Sequence, residues 1–136
     1  MRVRELMSTD IFVLYVDDTL LLAEEMMQFK RIRHIPVVDR EGNLQGLITH
    51  RDILRASIST IAELSSGERR EAQASIRLRD IMRTQVLTIS PDADIRSAAR
   101  VMLDKKIGCL LVVAYRQLLG ILTEADFLKY VLKEAS

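Results

Sequence analysis

The chain has one cysteine, two prolines, five glycines, two histidines and no tryptophan in its 136 residues. A lone Cys109 excludes intrachain disulfides and cysteine-cluster metal sites, and its neighbours Leu110, Leu111 and Val112 make it a core residue first. Neither charge sign is in excess: 20 Lys and Arg face 19 Asp and Glu, a net charge of +1, which argues against a nucleic-acid binder working through a strong general field. Long apolar runs are also missing. Leu110 to Ala114 falls far short of the ~20 residues a membrane helix needs, and Met1-Arg2-Val3-Arg4-Glu5 leads into no apolar signal core. The expectation is a cytoplasmic protein with no membrane contact. What is present, 49% hydrophobic and 29% charged residues, is enough for a folded core.

The chain repeats itself. Glu5-Leu6-Met7 recurs as Asp80-Ile81-Met82, and the stretch from Asp17 to Val38 aligns with that from Asp92 to Val113, at an offset of 75 residues. The endings also match, Gly46-Leu47-Ile48-Thr49-His50-Arg51-Asp52 against Gly120-Ile121-Leu122-Thr123-Glu124-Ala125-Asp126, at an offset of 74. The loop between has lost one residue, where chains tolerate such change.

Each repeat reads as strand, helix, strand, strand, helix. Ile11-Phe12-Val13-Leu14 and Val86-Leu87-Thr88-Ile89 are strand-like, and Asp17-Asp18-Thr19 and Ser90-Pro91-Asp92 are helix starts. Leu20, Ala23 and Met27 match Ile95, Ala98 and Met102 at helical spacing and form the expected core face. Hairpins follow, turning at residues 39–43 and 115–117, and final helices begin near Thr49 and Thr123. The division expected is a first repeat over 1–60, a linker over 61–76 and a second repeat over 77–136. A repeat of this size is a marginal domain alone, so the fold class is α/β with two repeats packed in pseudo-twofold symmetry. The cleft between them is where a small ligand is expected.

The openings Leu6-Met7 and Ile81-Met82, the run His34-Ile35-Pro36-Val37-Val38-Asp39, and Gly-x-x-Thr-x-x-Asp at 46 to 52 and 120 to 126 resemble a tandem pair of cystathionine β-synthase (CBS) domains, a Bateman module. The resemblance covers nearly all of the chain except the linker. It implies a non-catalytic regulatory module that binds AMP, ADP, ATP or S-adenosylmethionine between the repeats, needs no obligatory cofactor or metal, and signals to a partner protein. It places Asp52 and Asp126 on the ribose hydroxyls and Thr49 and Thr123 near phosphate. Adenine would lie against Asp10, Ile11, Phe12, Ile35 and Pro36 in the first half, and Gln85, Val86, Leu87, Leu110 and Leu111 in the second. Leu111 stands where the first repeat has Pro36, and Ala114 where it has Asp39. Ordinary core packing accounts for the apolar residues of the second set equally well.

The residues support two readings of the endings. A carboxylate in the first turn of a helix can accept a ribose diol while free backbone N–H groups hold a phosphate. Thr-x-x-Asp also approximates a capping box, which two equivalent helices would need with no ligand at all; the chain would then be a ligand-free interaction module. Between Thr and Asp, His50-Arg51 brings positive charge to the first helix start and Glu124-Ala125 negative charge to the second. Basic residues are unfavourable there, which favours a phosphate role for Arg51 and leaves His50 open between that role and a solvated one.

No Gly-x-x-x-x-Gly-Lys-Ser/Thr, Gly-x-Gly-x-x-Gly, His-Glu-x-x-His or Gly-x-Ser-x-Gly motif occurs, and His34 reads as a polar strand-end residue, so no enzyme is expected. Leu22, Met26 and Phe29 form an apolar stripe that the second repeat mostly lacks. Either it is a homodimer interface, as the resemblance favours, or the linker covers it with Ile58, Ile61 and Leu64.

Overall fold

Strand formation in this chain depends on a neighbour with free backbone groups, and the opening strands find one for only two residues each. The computed structural model describes residues 1–61 and 65–135. In order these form α1 (Val3–Leu6), β1 (Leu14–Tyr15), α2 (Leu20–Lys30), β2 (His34–Val38), β3 (Leu44–Thr49), α3 (His50–Ile61), α4 (Ser66–Ser75), α5 (Leu78–Ile81), β4 (Thr88–Ile89), α6 (Ile95–Lys105), β5 (Cys109–Ala114), β6 (Gln117–Thr123) and α7 (Glu124–Ala135). The α/β class and the strand-helix-strand-strand-helix order of both repeats agree with the sequence. The short helices α1 and α5 and the linker helix α4 do not appear in that reading.

Two three-stranded sheets result, β1-β2-β3 and β4-β5-β6, each with a parallel first pair and an antiparallel hairpin. In the first hairpin, Asp39 Oδ1 accepts from the backbone N–H groups of Glu41 and Asn43, both at 2.9 Å, and Gly42 supplies a φ of 87°. The second hairpin turns tightly on Tyr115 and Arg116, at φ 53° and 70°, so Gln117 belongs to β6 and not to the turn.

Contacts divide the chain into two compact units, one of Phe12–Val86 and the other of Met1–Ile11 with Leu87–Ser136. The opening segment of each repeat therefore sits with the strands of the other. In the Phe12–Val86 unit, Arg83 pairs with Leu47 through two backbone hydrogen bonds of 2.9 Å; in the other, Ser8 pairs with Ile121 through bonds of 2.9 and 3.0 Å. The core of the Phe12–Val86 unit includes Leu20, Ala23, Met27, Ile35, Val37, Ile48 and Leu78. That of the second unit includes Val3, Ile95, Ala98, Met102, Leu110, Val112 and Leu122. The matched helix positions thus face the core as their spacing predicts.

These backbone bridges explain two residue choices. Leu47 directs its N–H and C=O away from β2 and toward Arg83, so its partner Pro36 lies in a non-hydrogen-bonded pair, where a missing N–H leaves the hairpin ladder intact. At the equivalent Leu111 the N–H is present and donates to the Leu87 carbonyl at 3.5 Å. Glycine at 46 and 120 is required by close approach. A Cβ at Gly46 would sit 2.6 Å from the Arg83 carbonyl oxygen and 2.9 Å from Met82 Sδ, and at Gly120 2.9 Å from the Ser8 oxygen and 2.7 Å from Met7 Sδ.

The apolar stripe on α2 has a different fate from an exposed interface. Leu22 and Met26 are half-buried against the core of their own unit, because α4 returns across α2. Ser65 caps α4 by accepting from the Glu68 N–H at 3.3 Å, Arg70 pairs with Glu25 at 3.3 Å, and the buried Gln73 donates to Glu24. Phe29 alone of the stripe stays exposed. The side chains of Ile58, Ile61 and Leu64, the expected cover, lie outside the described residues.

Two outcomes follow from this packing. Gly46→Ala and Gly120→Ala should each destabilise the fold by about 1–3 kcal/mol, the usual effect of overpacking, seen as a lower urea midpoint; an unchanged midpoint would show that the opening segments do not approach this closely. Cys109 is buried, and burial pushes its thiol up to about 11, so at neutral pH its thiolate fraction is about a hundredfold below that of an ordinary cysteine. Iodoacetamide should modify it slowly in the folded chain and readily in urea.

Candidate functional site

The two Thr-x-x-Asp endings sit at the starts of α3 and α7, where the hairpin delivers Thr as the last strand residue and the helix begins one position later. At the first, the Asp52 N–H donates to Thr49 Oγ1 at 3.2 Å and Asp52 Oδ2 accepts from the Thr49 N–H at 3.1 Å, a complete reciprocal cap. The Thr49 hydroxyl also donates to the same oxygen at 2.8 Å. At the second, Asp126 Oδ2 accepts from the Thr123 N–H at 2.9 Å and from the Thr123 hydroxyl at 3.3 Å. The capping reading is therefore realised in the geometry. Both aspartates are buried, at 8% and 7% exposure, unlike ordinary solvated caps.

The two carboxylates meet different partners from the opening segments. Arg83 Nε donates to Asp52 at 3.1 Å from Oδ1 and 3.2 Å from Oδ2. Ser8 Oγ lies 3.2 Å from Asp126 Oδ1. Arg83 and Ser8 occupy the same place in the repeat, one residue after Met82 and Met7. Neither was singled out in the sequence, because nothing there indicates that the opening of one repeat pairs with the ending of the other. The available signal was the repeat offset itself, which sets an arginine against a serine.

The remaining expected site residues fall on both units. Phe12, Ile35, Pro36, Thr49, His50, Arg51, Asp52, Gln85 and Val86 belong to the Phe12–Val86 unit; Asp10, Ile11, Leu87, Leu110, Leu111, Thr123 and Asp126 belong to the other. Each tripeptide expected beside adenine thus straddles a passage of the chain from one unit to the next. Ile35 and Leu110 are fully buried core residues, and Pro36 and Leu111 are buried strand residues. Asp10, Gln85 and Leu87 are exposed, as are His50 and Arg51 in the first turn of α3. His34 opens β2 opposite Thr49, at the strand end expected for it. Among the described residues, no group of three or more His, Cys, Asp and Glu is placed to hold a metal ion, and no helix is long and apolar enough to cross a membrane.

Comparison with known proteins places this geometry. A CBS domain-containing protein of Dictyostelium discoideum is 32% identical over 132 residues, covering 96% of this chain and 91% of that protein. A homoserine O-acetyltransferase of Methanohalophilus mahii is 34% identical over 122 residues, but the chain spans only 22% of that enzyme. Among solved structures, a Vibrio cholerae protein named for acetoin utilization, AcuB, superposes with a TM-score of 0.86 at 31% identity, covering 99% of this chain and 93% of that one. The CBS domain pair of protein MJ0100, solved with 5′-methylthioadenosine and S-adenosylmethionine, superposes with a TM-score of 0.78 at 25% identity, covering 98% of both chains. The family model for the CBS domain matches twice, over residues 3–59 and 78–133, so the chain belongs to the CBS domain family as a tandem pair.

Proposed function

We propose that this CBS pair is a non-catalytic sensor of adenosine-containing ligands that passes its state to a partner protein. The observation that carries the reading is the duplicated buried carboxylate, Asp52 and Asp126, each with its inner oxygen committed to a helix cap and its outer oxygen turned to the opening segment. A ribose diol needs a fixed, charged acceptor, and a cap that holds the carboxylate in one rotamer provides it without further ordering. The MJ0100 pair, with adenosine-type ligands in its crystals, supports this class of ligand. The exposed His50 and Arg51 at the start of α3 suit a phosphate-bearing member such as AMP, ADP or ATP.

Thermal shift and calorimetric titration with AMP, ADP, ATP, S-adenosylmethionine and 5′-methylthioadenosine test the reading. Ligand at 100 times its Kd should stabilise the native state by about 2.7 kcal/mol. Asp52→Ala and Asp126→Ala should each remove one binding event, and Arg51→Ala should weaken AMP while sparing adenosine. No shift with any of the five compounds would leave a ligand-free interaction module as the function.

We also propose a homodimer. Its support is the outer face of α7, where Leu128, Val131 and Leu132 recur at helical spacing and are 65%, 59% and 71% exposed. Leu132→Glu should convert the dimer to a monomer in light scattering with helicity retained, whereas a mass unchanged by the substitution would place the contact elsewhere.

A further inference from the structure

Duplicated sites are seldom identical, and here the difference lies in a residue outside both Thr-x-x-Asp endings. We propose that Arg83 makes the two half-sites unequal by competing with a ribose diol for the carboxylate of Asp52, so that the Asp126 half takes neutral adenosine ligands more tightly. This rests on the reading of Asp52 and Asp126 as ribose acceptors.

Three observations and one chemical contrast carry it. Arg83 is held beside Asp52 by the fold itself, since its backbone is paired with Leu47 in both directions at 2.9 Å and packs over Gly46. Its Nε reaches both carboxylate oxygens, at 3.1 and 3.2 Å, and so overlaps the acceptor positions a diol would use. The equivalent Ser8, positioned by the same backbone pairing with Ile121, meets Asp126 at Oδ1, at 3.2 Å. Finally, a guanidinium stays charged and offers only donors, whereas a serine hydroxyl can rotate and accept a hydrogen bond from the ligand. A ribose hydroxyl arriving at Asp52 must displace a cation from its counter-ion; one arriving at Asp126 meets a neutral group that can change role.

The competitor is displaceable. The Arg83 side chain is 48% exposed, so water screens its pair with Asp52 and a ligand works against a modest opponent. Position 83 then tunes the ribose affinity of one half without entering the ligand's own contacts.

Calorimetric titration with adenosine, which carries no phosphate to interact with Arg51, isolates the effect. The Asp126→Ala protein retains only the Asp52 half; adding Arg83→Ser to it should tighten adenosine binding about two- to fivefold, the range for a partly exposed ion pair. Adding Arg83→Lys instead should leave the affinity weak, because a cation remains beside Asp52. In the Asp52→Ala protein, which retains the Asp126 half, Ser8→Arg should weaken adenosine by a similar factor. This arm decides the matter if circular dichroism shows that Arg83→Ser does not fold. A merely structural Arg83 would make its serine variant bind worse, so unchanged or weaker adenosine affinity in Arg83→Ser, or unchanged affinity in Ser8→Arg, overturns the inference while leaving the sensor reading intact. Wild-type protein that binds no adenosine compound overturns both.

Discussion

Two pairs of backbone hydrogen bonds, Leu47 with Arg83 and Ile121 with Ser8, constrain the rest of the molecule. Each brings an incoming segment against the outer edge of a hairpin and pairs the edge strand at one position. Because the approach is backbone to backbone, the facing residue at 46 or 120 cannot carry a Cβ. With the edge strand's N–H and C=O turned outward, the opposite residue in the hairpin is free to be proline. The residue that makes the bridge lands beside the buried aspartate of the same hairpin's helix. One local pairing thus accounts for a glycine, tolerates a proline, and chooses a neighbour for a carboxylate.

Most of the architecture is legible in the residues because it repeats. The apolar spacing of Leu20, Ala23 and Met27, matched by Ile95, Ala98 and Met102, identified the buried helix faces, and the matched endings marked both hairpins and the starts of α3 and α7. What was hidden is what local pattern cannot express. The periodicity of Glu5-Leu6-Met7 says that a short helix exists at most, never that Val3 and Leu78 complete the cores of units formed mainly by the other repeat's strands. The stripe of Leu22, Met26 and Phe29 is sound amphipathic evidence of burial, but only the position of α4 tells that two of the three are packed within their own unit. Residues 66–75 fall in the stretch read as linker from the sequence; the Ser65 cap and the pairs with Glu24 and Glu25 hold them as a helix.

The candidate site shows why capping and binding are poor alternatives. In both Asp52 and Asp126 one carboxylate oxygen satisfies donors at the helix start and the other faces the opening segment, with Arg83 reaching the capping oxygen of Asp52 as well. A cap of this kind immobilises an acceptor in advance, so most of the ordering cost is met during folding and not during binding. The buried positions of both aspartates strengthen a hydrogen bond to the outer oxygen from a group that is itself shielded from water.

The placement of the opening segments also bears on how such a chain could arise from a single repeat. A repeat standing alone has an arm of about a dozen residues whose hydrogen-bonding edge and apolar anchor, Val3 or Leu78, fit a body other than its own. Two copies of that ancestor would complete each other by trading arms, a domain-swapped dimer whose assembly depends on concentration. Joining the copies end to end makes the trade intramolecular, with an effective concentration set by the linker and independent of how much protein is present. In the joined chain the two arms need not deliver the same residue, and one delivers arginine where the other delivers serine.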